Sequence, residues 1–381
     1  MKIVDVRVHT TWGDPRNWVF VKIVTDKGLH GWGEATLEGY EQTVAARVRE
    51  LGAQLIGEDA LAVEHHWQRI YRHAFWRGGS VANTALSGLD QALWDLRGKA
   101  WGVPVYALLG GPVRDSIRLY THVGIYDPGQ LEVDATRDLA DGYTAMKTGA
   151  WQSDTKLPEH RLIEAFAERV ARLRQLVGPD VDLMIDNHGR SRASSAARLM
   201  HALAPSRLFW LEEPTPPDDL DALARLRQDQ PLMDLAAGER LYSKWDFAPL
   251  IERRLVDVIQ PDLSHAGGIS ECKKIAACAE TRYIQVAPHN PQGPVSTAAA
   301  AHLGMAIPNF LILEYVRSSS RDRVLRDPMR EAWQPVRGCL RVPDLPGLGL
   351  DVDEEALAAS PMRPTAKGGG AWNSDNSVAD V

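Results

Sequence analysis

The 381-residue sequence has no apolar run that approaches the roughly 18 residues needed for a membrane-spanning helix. Its N-terminus, MKIVDVRVHTT, alternates apolar and polar residues like a β-strand and lacks the continuous apolar stretch of a secretory signal. The sequence therefore predicts a cytoplasmic protein that does not act on or in a membrane.

The sequence also contains few cysteines and carries no net positive charge. Three cysteines occur, Cys272, Cys278 and Cys339, and they fit no zinc spacing, which agrees with a reducing compartment. The formal net charge of −7 argues against nucleic acid as the main partner. It does not exclude an anionic small-molecule substrate, because a bound metal can invert the local field.

The first 115 residues have the pattern of an α+β domain. Residues 2–11 and 18–25 alternate as strands, Asp26-Lys27-Gly28 is a hairpin signal, and LHGWGEA indicates a third strand. Helical spacing of apolar residues follows at roughly 41–56, 61–75 and 82–101. We therefore predict a separate N-terminal domain over residues 1–115.

A different rhythm begins after residue 115, with strands predicted in RLYTHVGI and YTAMKTGA. Six apolar runs then each end on a polar residue, with gaps of 26, 27, 23, 27 and 25 residues between Asp186, Glu212, Glu239, Asp262, His289 and Glu314. Each gap accommodates one helix and two loops, which is typical of the βα units of an α/β barrel. Any one such residue could be a helix cap or a solvated loop residue, but six in register favour a barrel over residues 116–320.

The barrel rhythm ends after Tyr315. The following segment contains LRVPDLPGLGLDVDEEAL, in which proline and glycine indicate turns rather than a helix. We expect residues 321–381 to return to the N-terminal domain, and the Gly/Asn/Ser-rich residues 367–381 to form a flexible end.

Three of the strand-end residues are carboxylates on consecutive predicted strands: Asp186, Glu212 and Glu239. The active face of such barrels is the C-terminal one, so these side chains should converge there. Three carboxylates without cysteine or histidine are a poor zinc site but suit a hard cation with oxygen ligands. The sequence therefore predicts a Mg²⁺ site, with Mn²⁺ as the second choice.

The remaining polar residues suggest acid–base chemistry. Asp262 and His289 end adjacent predicted strands, and a carboxylate beside an imidazole fixes its tautomer and makes it a better base. His188 stands two residues after Asp186 and, as an i+2 neighbour on a strand, is predicted to face the barrel mouth. Lys147 and Glu314 end the second and eighth strands on either side, whereas Glu213 is predicted to point away.

Motifs spread over the whole chain carry a family resemblance. They are GWGEA, FWRGG, SGLDQALWDLRGKA, IDNHGR, LEEP, LAAGERLYSKWDF, QPDLSHAGGISECKKIA, APHNPQGP, PGLGLDV and the tail's DNSVA. The sequence resembles the enolase superfamily, its mandelate racemase subgroup, and within it the D-galactonate dehydratase family. The resemblance implies a TIM-like (β/α)₇β barrel under a capping domain made of N- and C-terminal segments. It also implies an aldonate substrate and a homo-oligomer, an octamer or a smaller even assembly.

The resemblance further implies residue roles. Asp186, Glu212 and Glu239 would hold Mg²⁺, which binds the substrate carboxylate and stabilises the enediolate formed when the C2 proton leaves. His289, oriented by Asp262, would be the base, and His188 would protonate the departing C3 hydroxyl. Lys147 and Glu314 would lie at the substrate carboxylate. The implied product from D-galactonate is 2-dehydro-3-deoxy-D-galactonate.

Several alternatives stay open at this point. Gly149 stands where racemases of the subgroup carry a second lysine, which disfavours a two-base racemase. The substrate could instead be another aldonate, of the gluconate, arabinonate or xylonate type. The protein could also be an epimerase or cycloisomerase, or a non-catalytic binding protein. After the base, Asn290, Pro291 and Gln292 stand where the galactonate enzymes have Cys, Pro and Leu, and Arg16, Trp18 and Arg77 are candidate substrate contacts in the capping domain.

Overall fold

The computed structural model describes residues 1–149, 157–228, 233–327, 329–364 and 377–378. The N-terminal part is a three-stranded antiparallel sheet in the order β1-β2-β3, followed by helices. Its elements are β1 (Ile3–Trp12), β2 (Asn17–Thr25), β3 (His30–Glu34), α1 (Glu41–Ala53), α2 (Val63–His73), α3 (Ser80–Trp101) and α4 (Val105–Leu108). The strands and longer helices predicted for this segment are present, with ends that differ by at most three residues.

The β2–β3 hairpin turns at the predicted Asp26-Lys27-Gly28. Gly28 has a φ of +77° and donates its N–H to the carbonyl of Thr25 at 3.0 Å. Glycine adopts this left-handed conformation without steric cost, so the sequence fixes the turn locally.

Among the described residues of the second part, eight parallel strands are joined by helices. The strands are β4 (Ile117–His122), β5 (Ala145–Thr148), β6 (Asp182–Asp186), β7 (Trp210–Glu212), β8 (Asp234–Ala237), β9 (Val258–Ile259), β10 (Gln285–Val286) and β11 (Leu313–Glu314). The connecting helices are α5 (Pro128–Ala140), α6 (Glu159–Val177), α7 (Ala193–Leu203), α8 (Leu220–Gln228), α9 (Lys244–Glu252), α10 (Gly268–Glu280) and α11 (Pro294–Ala306).

The strands pair in chain order from β4 to β10, and β11 pairs with β4 in parallel. A parallel bridge between Val286 and Phe310 joins β10 to the residues that lead into β11 and closes the ring. The predicted α/β class and (β/α)₇β barrel are therefore confirmed.

A ring of buried residues, one from each strand or its immediate extension, fills the barrel interior: Tyr120, Ala145, Met184, Trp210, Ala236, Val258, Ala287 and Ile312. A polar residue follows two positions later in seven of the eight cases, namely His122, Lys147, Asp186, Glu212, Gln260, His289 and Glu314, and Gly238 stands in the eighth. Because side chains two residues apart on a strand share a face, these polar groups lie in the layer above the apolar ring. The pleat of the strands thus places the polar residues at the C-terminal mouth.

Helix α3 ties the N-terminal sheet to the barrel. Gly33 approaches α3 so closely that a Cβ there would lie 1.9 Å from the carbonyl oxygen of Gly88. Gln91 accepts from the N–H of Glu34 at 3.0 Å and donates to the carbonyl of Leu263 at 2.9 Å. One buried helix therefore hydrogen-bonds both parts of the molecule.

The C-terminal segment contains α12 (Ser319–Val324), α13 (Met329–Ala332), β12 (Cys339–Leu340) and α14 (Glu354–Ala358). Strand β12 pairs with β4, whereas Thr11 of β1 bridges Pro361 and Lys22 of β2 forms an ion pair with Glu354. The contacts of Glu354 and Pro361 with the N-terminal sheet support our proposal that residues 321–381 complete the capping domain begun by residues 1–115, whereas the β12–β4 pairing attaches part of this segment to the barrel.

Two sequence expectations for this segment need comment. The prediction of turns rather than a helix was wrong for residues 354–358, because the Asp353 side chain accepts from the N–H groups of Glu355 and Ala356 and caps α14. The predicted flexible end at 367–381 lies outside the described residues except for Ser377 and Val378. In the part of the chain that the structure covers, no helix combines the length and apolarity needed to cross a membrane.

Asp90 on α3 provides a pH-dependent link between the two parts. Its carboxylate is buried and accepts from the Ser270 hydroxyl at 2.5 Å and the Ser270 N–H at 3.0 Å. Burial raises the pKa of Asp90 to about 7, although the Ser270 hydrogen bonds oppose this rise. The folded state therefore holds a proton that the unfolded state releases, so native stability should fall as pH rises from about 4 to 7.

We expect Asp90→Asn to remove this dependence, because an amide can bond both Ser270 groups without carrying charge. The melting temperature of the variant minus that of the native protein, measured by circular dichroism, should increase by a few degrees as the pH rises from 5 to 8. A difference in melting temperature that stays constant over this range would contradict the prediction.

Candidate active site

A cavity of about 550 Å³ lies at the C-terminal mouth of the barrel. Strand ends contribute His122, Lys147, Asp186, Glu239, His289 and Glu314 to its wall. The N-terminal part covers it with Arg16, Leu37, Glu38, Tyr40 and Ser80. The cavity has the size and position of a small-molecule site on the active face of a barrel.

Asp186, Glu212 and Glu239 converge at the cavity floor, as the sequence predicts for a cation site. Each offers one carboxylate oxygen, and these three oxygens lie within 4.8 Å of one another. Asp186 and Glu212 are register neighbours on β6 and β7. The Oε2 atom of Glu239 is buried without a hydrogen-bond partner. An all-oxygen set with an unsatisfied buried oxygen fits a hard divalent cation.

Lys147 reaches into this carboxylate group from β5. Its Nζ lies 2.7 Å from Glu212, 2.8 Å from Glu314 and 3.4 Å from Asp186. Burial alone would lower the pKa of Lys147, but the charges of Glu212 and Glu314 raise it well above its usual value. Lys147 therefore stays cationic and neutralises part of the negative charge.

One lysine does not balance the whole group. Burial raises the pKa of Glu212, and the charges of Asp186 and Glu314 add to the rise. Burial also raises the pKa of Glu239 well above its usual value, helped by Glu213 and Asp186 and opposed by His289. For Asp186, burial acts in the same direction, but Lys147 and His188 outweigh it and hold the pKa well below the usual range. A cation among the three carboxylates would remove the remaining repulsion.

Asp262 and His289 form the expected pair. The Oδ2 atom of Asp262 lies 2.8 Å from His289 Nδ1, and the Asp262 carboxylate also accepts from the Ser264 N–H at 2.6 Å. This contact assigns the ring proton to Nδ1 and leaves Nε2 facing the cavity, 3.7 Å from Glu239 Oε2. Burial would lower the pKa of His289, but Glu239 and the Asp262 hydrogen bond raise it to about 10.

His188 lines the cavity as predicted, although for a different local reason. Strand β6 ends at Asp186, and His188 lies beyond it with a φ of +49°. Its N–H donates to Asp186 Oδ1 at 2.9 Å, and its Nε2 lies 3.1 Å from Asp186 Oδ2. A left-handed turn held by Asp186, rather than strand alternation, therefore orients this histidine. Since β6 and β10 are the third and seventh of eight strands, His188 and His289 stand across the barrel from each other.

Glu314 is fully buried, and both of its carboxylate oxygens are engaged. Oε1 contacts His122 Nε2 at 2.6 Å and Lys147, and Oε2 accepts from the Asn290 N–H at 2.6 Å. Glu314 thus fixes the chain just after His289. The sequence reasoning missed His122, although it ends the first barrel strand in the same phase as Asp186, Glu212, His289 and Glu314.

The wall also contains two loop residues: His265, which the sequence reasoning missed, and Gln292, which it named only among the differences that follow the base. His265 is 3.6 Å from Asp262 Oδ2 and 3.2 Å from the Gln292 side-chain nitrogen, and its other ring nitrogen contacts the Thr84 hydroxyl at 2.9 Å. No spacing rule marks either residue, because loop conformation decides where they point. They surround Asp262 and so restrict the orientation of the Asp262–His289 pair.

Glu213 bonds the guanidinium of Arg240 through two contacts, at 2.9 and 2.6 Å, and takes no place among the three converging carboxylates. This agrees with the expectation that it points away from its neighbour Glu212. Gly149 lies on the cavity wall, so a lysine at this position would reach the cavity.

Of the three residues of the capping domain that were expected to contact the substrate, the structure places one on the cavity wall and two elsewhere. Arg16 lines the cavity and forms an ion pair with Glu38. The expectation for Trp18 was wrong, because its side chain is buried in the core against Phe20. That for Arg77 was also wrong, because this exposed side chain lies over the ring of Tyr71, away from the cavity wall.

Comparison with known proteins agrees with this geometry. Residues 4–110 match the N-terminal domain of mandelate racemase / muconate lactonizing enzyme, and residues 130–356 match the enolase C-terminal domain-like family. The D-galactonate dehydratase of Variovorax paradoxus is 40% identical, with 100% of each chain covered. That of Ralstonia pickettii is 39% identical, with 97% of this chain and 98% of the relative covered.

Solved structures give the same result. An enolase of Agrobacterium radiobacter, named as a candidate galactarate dehydratase and bound to Na and L-malate, has a TM-score of 0.92 and 33% identity with full coverage of both chains. An enolase superfamily member from Salmonella Typhimurium has a TM-score of 0.87 and 33% identity, with 94% of this chain and 98% of that chain covered. The protein therefore belongs to the mandelate racemase / muconate lactonizing enzyme family of the enolase superfamily.

Proposed function

We propose that the protein is a Mg²⁺-dependent hydro-lyase that dehydrates an aldonate, D-galactonate, to 2-dehydro-3-deoxy-D-galactonate. The observation that carries the proposal is the arrangement of one cavity, with three converging carboxylates at its floor, the Asp262–His289 pair on one side and His188 on the other. Identity of about 40% to several D-galactonate dehydratases over essentially the whole chain supports the substrate.

Asp186, Glu212 and Glu239 are the residues that would hold the cation, with Mn²⁺ as a substitute for Mg²⁺. The cation supplies positive charge for the substrate carboxylate and for the negative charge that develops when a proton leaves the carbon beside it. Lys147 already pairs with Glu212 and adds a fixed positive charge at the same end of the cavity.

His289 would remove the C2 proton. Its Nδ1–H donates to Asp262, so Nε2 carries the lone pair that faces the cavity. A base must be neutral to accept a proton, and Glu239 raises the pKa of His289 only while its own charge is not neutralised. Cation binding by Glu239 and the strength of the base are therefore linked.

His188 would donate a proton to the C3 hydroxyl as it leaves, because hydroxide is a poor leaving group. Its position across the barrel from His289 separates the acid from the base. Glu314 would act indirectly by fixing His122, Lys147 and the chain after His289. Enol collapse then gives the 2-keto-3-deoxy acid.

An epimerase or cycloisomerase would use the same proton abstraction with a different fate for the enolate. The Gly149 backbone on the cavity wall disfavours a second basic side chain from β5. The test is a screen of an acid-sugar library, including galactonate, gluconate, arabinonate and xylonate, for 2-keto acid formation. Keto acid from D-galactonate above the others supports the proposal, whereas labelled sugar acid without keto acid in deuterated water would favour an epimerase.

We further propose that the protein is a cytoplasmic homo-oligomer that acts on a small molecule and not on nucleic acid or membranes. The family likeness supports an even-numbered assembly. A monomer at micromolar concentration in analytical ultracentrifugation would contradict this expectation.

A further inference from the structure

Two loops of the N-terminal sheet meet above the cavity. One is the turn at residues 13–16 between β1 and β2, closed by a hydrogen bond of 2.8 Å from the Gly13 N–H to the Arg16 carbonyl. The other follows β3, whose pairing with β2 continues through the bond of 2.8 Å from the Ala35 N–H to the Val19 carbonyl. Antiparallel pairing therefore places Arg16 and Glu38 beyond the same end of the sheet, where they form an ion pair on the cavity wall.

Among the described residues of this wall, Arg16 differs from the other permanent cations. Lys147 pairs with buried Glu212 and Glu314, and Arg240 pairs with buried Glu213. In the part of the chain that the structure covers, the ion pairs of Arg16 involve Glu38 alone, whose side chain is 55% exposed. The carboxylate that pairs with Arg16 is thus exposed at the rim of the cavity, although the charges of Glu314 and Asp262 also act on the guanidinium.

The pair presents donors and acceptors without net charge. Burial lowers the pKa of Arg16 and Glu314 raises it, but a guanidinium stays charged at any working pH. Beside the Glu38 carboxylate it offers N–H donors next to oxygen acceptors. Sugar hydroxyls both donate and accept, so they match this pattern, whereas a carboxylate would meet the negative charge of Glu38.

We propose that the Arg16–Glu38 pair determines the charge class of the substrate: it binds the hydroxyl-bearing end of a sugar mono-acid and rejects a sugar di-acid. This inference rests on the proposed function, because it assigns the end of the substrate that is remote from the cation site. On this proposal one fold can serve two classes of sugar acid, since the selecting charge, that of Glu38, lies in the loop after β3 and not among the catalytic groups.

The test compares kcat/KM for D-galactonate and for galactarate, which differ by the second carboxylate. The native enzyme should prefer D-galactonate. Glu38→Gln should move the ratio of kcat/KM values toward galactarate by at least about tenfold, mainly through KM, because it removes the like charge that opposes the second carboxylate. Arg16→Gln should raise KM for D-galactonate more than it lowers kcat.

The matched control is Glu50→Gln, which removes the carboxylate of another exposed ion pair of the same domain. Glu50 lies 2.9 Å from Arg47 and 65% of its side chain is exposed, but it does not line the cavity. Its ratio of kcat/KM values should equal the native ratio. Melting temperatures of all three variants report whether a change in KM reflects loss of folding.

The outcomes separate the inference from the proposed function. An unchanged ratio in Glu38→Gln, or a native preference for galactarate, would overturn the inference and leave dehydration standing. A native enzyme that dehydrates neither acid would defeat the proposed function. In that case calorimetric binding of the two acids in the presence of Mg²⁺ still tests the inference, which requires Glu38→Gln to gain affinity for galactarate relative to D-galactonate.

Discussion

His289→Asn should lower dehydration of D-galactonate by about 10²–10⁴-fold and should also stop exchange of the C2 hydrogen with solvent. Both effects follow from the loss of one atom, the Nε2 that faces the cavity while Nδ1 is held by Asp262 at 2.8 Å. Without this base no enolate forms, so neither product nor exchanged substrate can appear. The measurement is product formation, together with mass spectrometry of substrate recovered from deuterated water.

His188→Asn should lower turnover by a similar factor but should leave exchange at C2. The acid is needed only when the C3 hydroxyl leaves, so the enolate can still form and be reprotonated by solvent-derived deuterium. Because His188 contacts Asp186, Mg²⁺ affinity must be measured for this variant as well. His201→Asn, which changes an exposed histidine on α7, serves as the control and should behave like the native enzyme. Exchange in His289→Asn but not in His188→Asn would show that the roles are reversed.

Glu239→Gln should abolish Mg²⁺ binding and turnover while raising the melting temperature of the metal-free protein. The Oε2 atom of Glu239 is buried without a hydrogen-bond partner, and burial raises its pKa well above the usual value, with the charges of Glu213 and Asp186 adding to the rise and that of His289 opposing it. A neutral amide avoids the cost of burying this carboxylate in the metal-free state but deletes one of three ligands. Calorimetry should find one Mg²⁺ per chain in the native protein and none in the variant.

Glu212→Gln provides the matched contrast. It also removes a ligand, but Glu212 is the carboxylate closest to buried Lys147, at 2.7 Å. Loss of a buried ion-pair partner typically costs about 3–5 kcal/mol, so this variant should melt at a lower temperature than the native protein.

A chelator should abolish turnover of the native protein and Mg²⁺ should restore it, with folding retained. Full activity in a metal-stripped sample would disprove the metal requirement.

Strand-level features were accessible from the sequence because they depend on local periodicity. The positions of Asp186, Glu212 and His289 follow from the two-residue repeat of a strand. Buried Met184 stands two positions before Asp186, and buried Trp210 stands two positions before Glu212. The same repeat marks His122, so its omission was an incomplete application of a sound rule.

Contacts between distant segments were not accessible in this way. Alternation alone cannot tell that Trp18 faces the core while Arg16, two residues earlier in a turn, reaches the cavity. The sequence likewise gives no reason for His265 and Gln292 to meet beside Asp262, since loop backbones and the packing of α3 place them there.

The sequence by itself determined the barrel, its active face and the polar residues that end its strands, among them the three carboxylates and His289, because these follow from short-range patterns that recur along the chain. Only the tertiary structure decided the charge relations of the site. It placed Lys147 among three carboxylates, turned His188 toward the cavity through a left-handed residue held by Asp186, and paired Arg16 with Glu38. Such relations depend on distances between side chains far apart in the chain, and electrostatic energies change steeply with those distances and with burial.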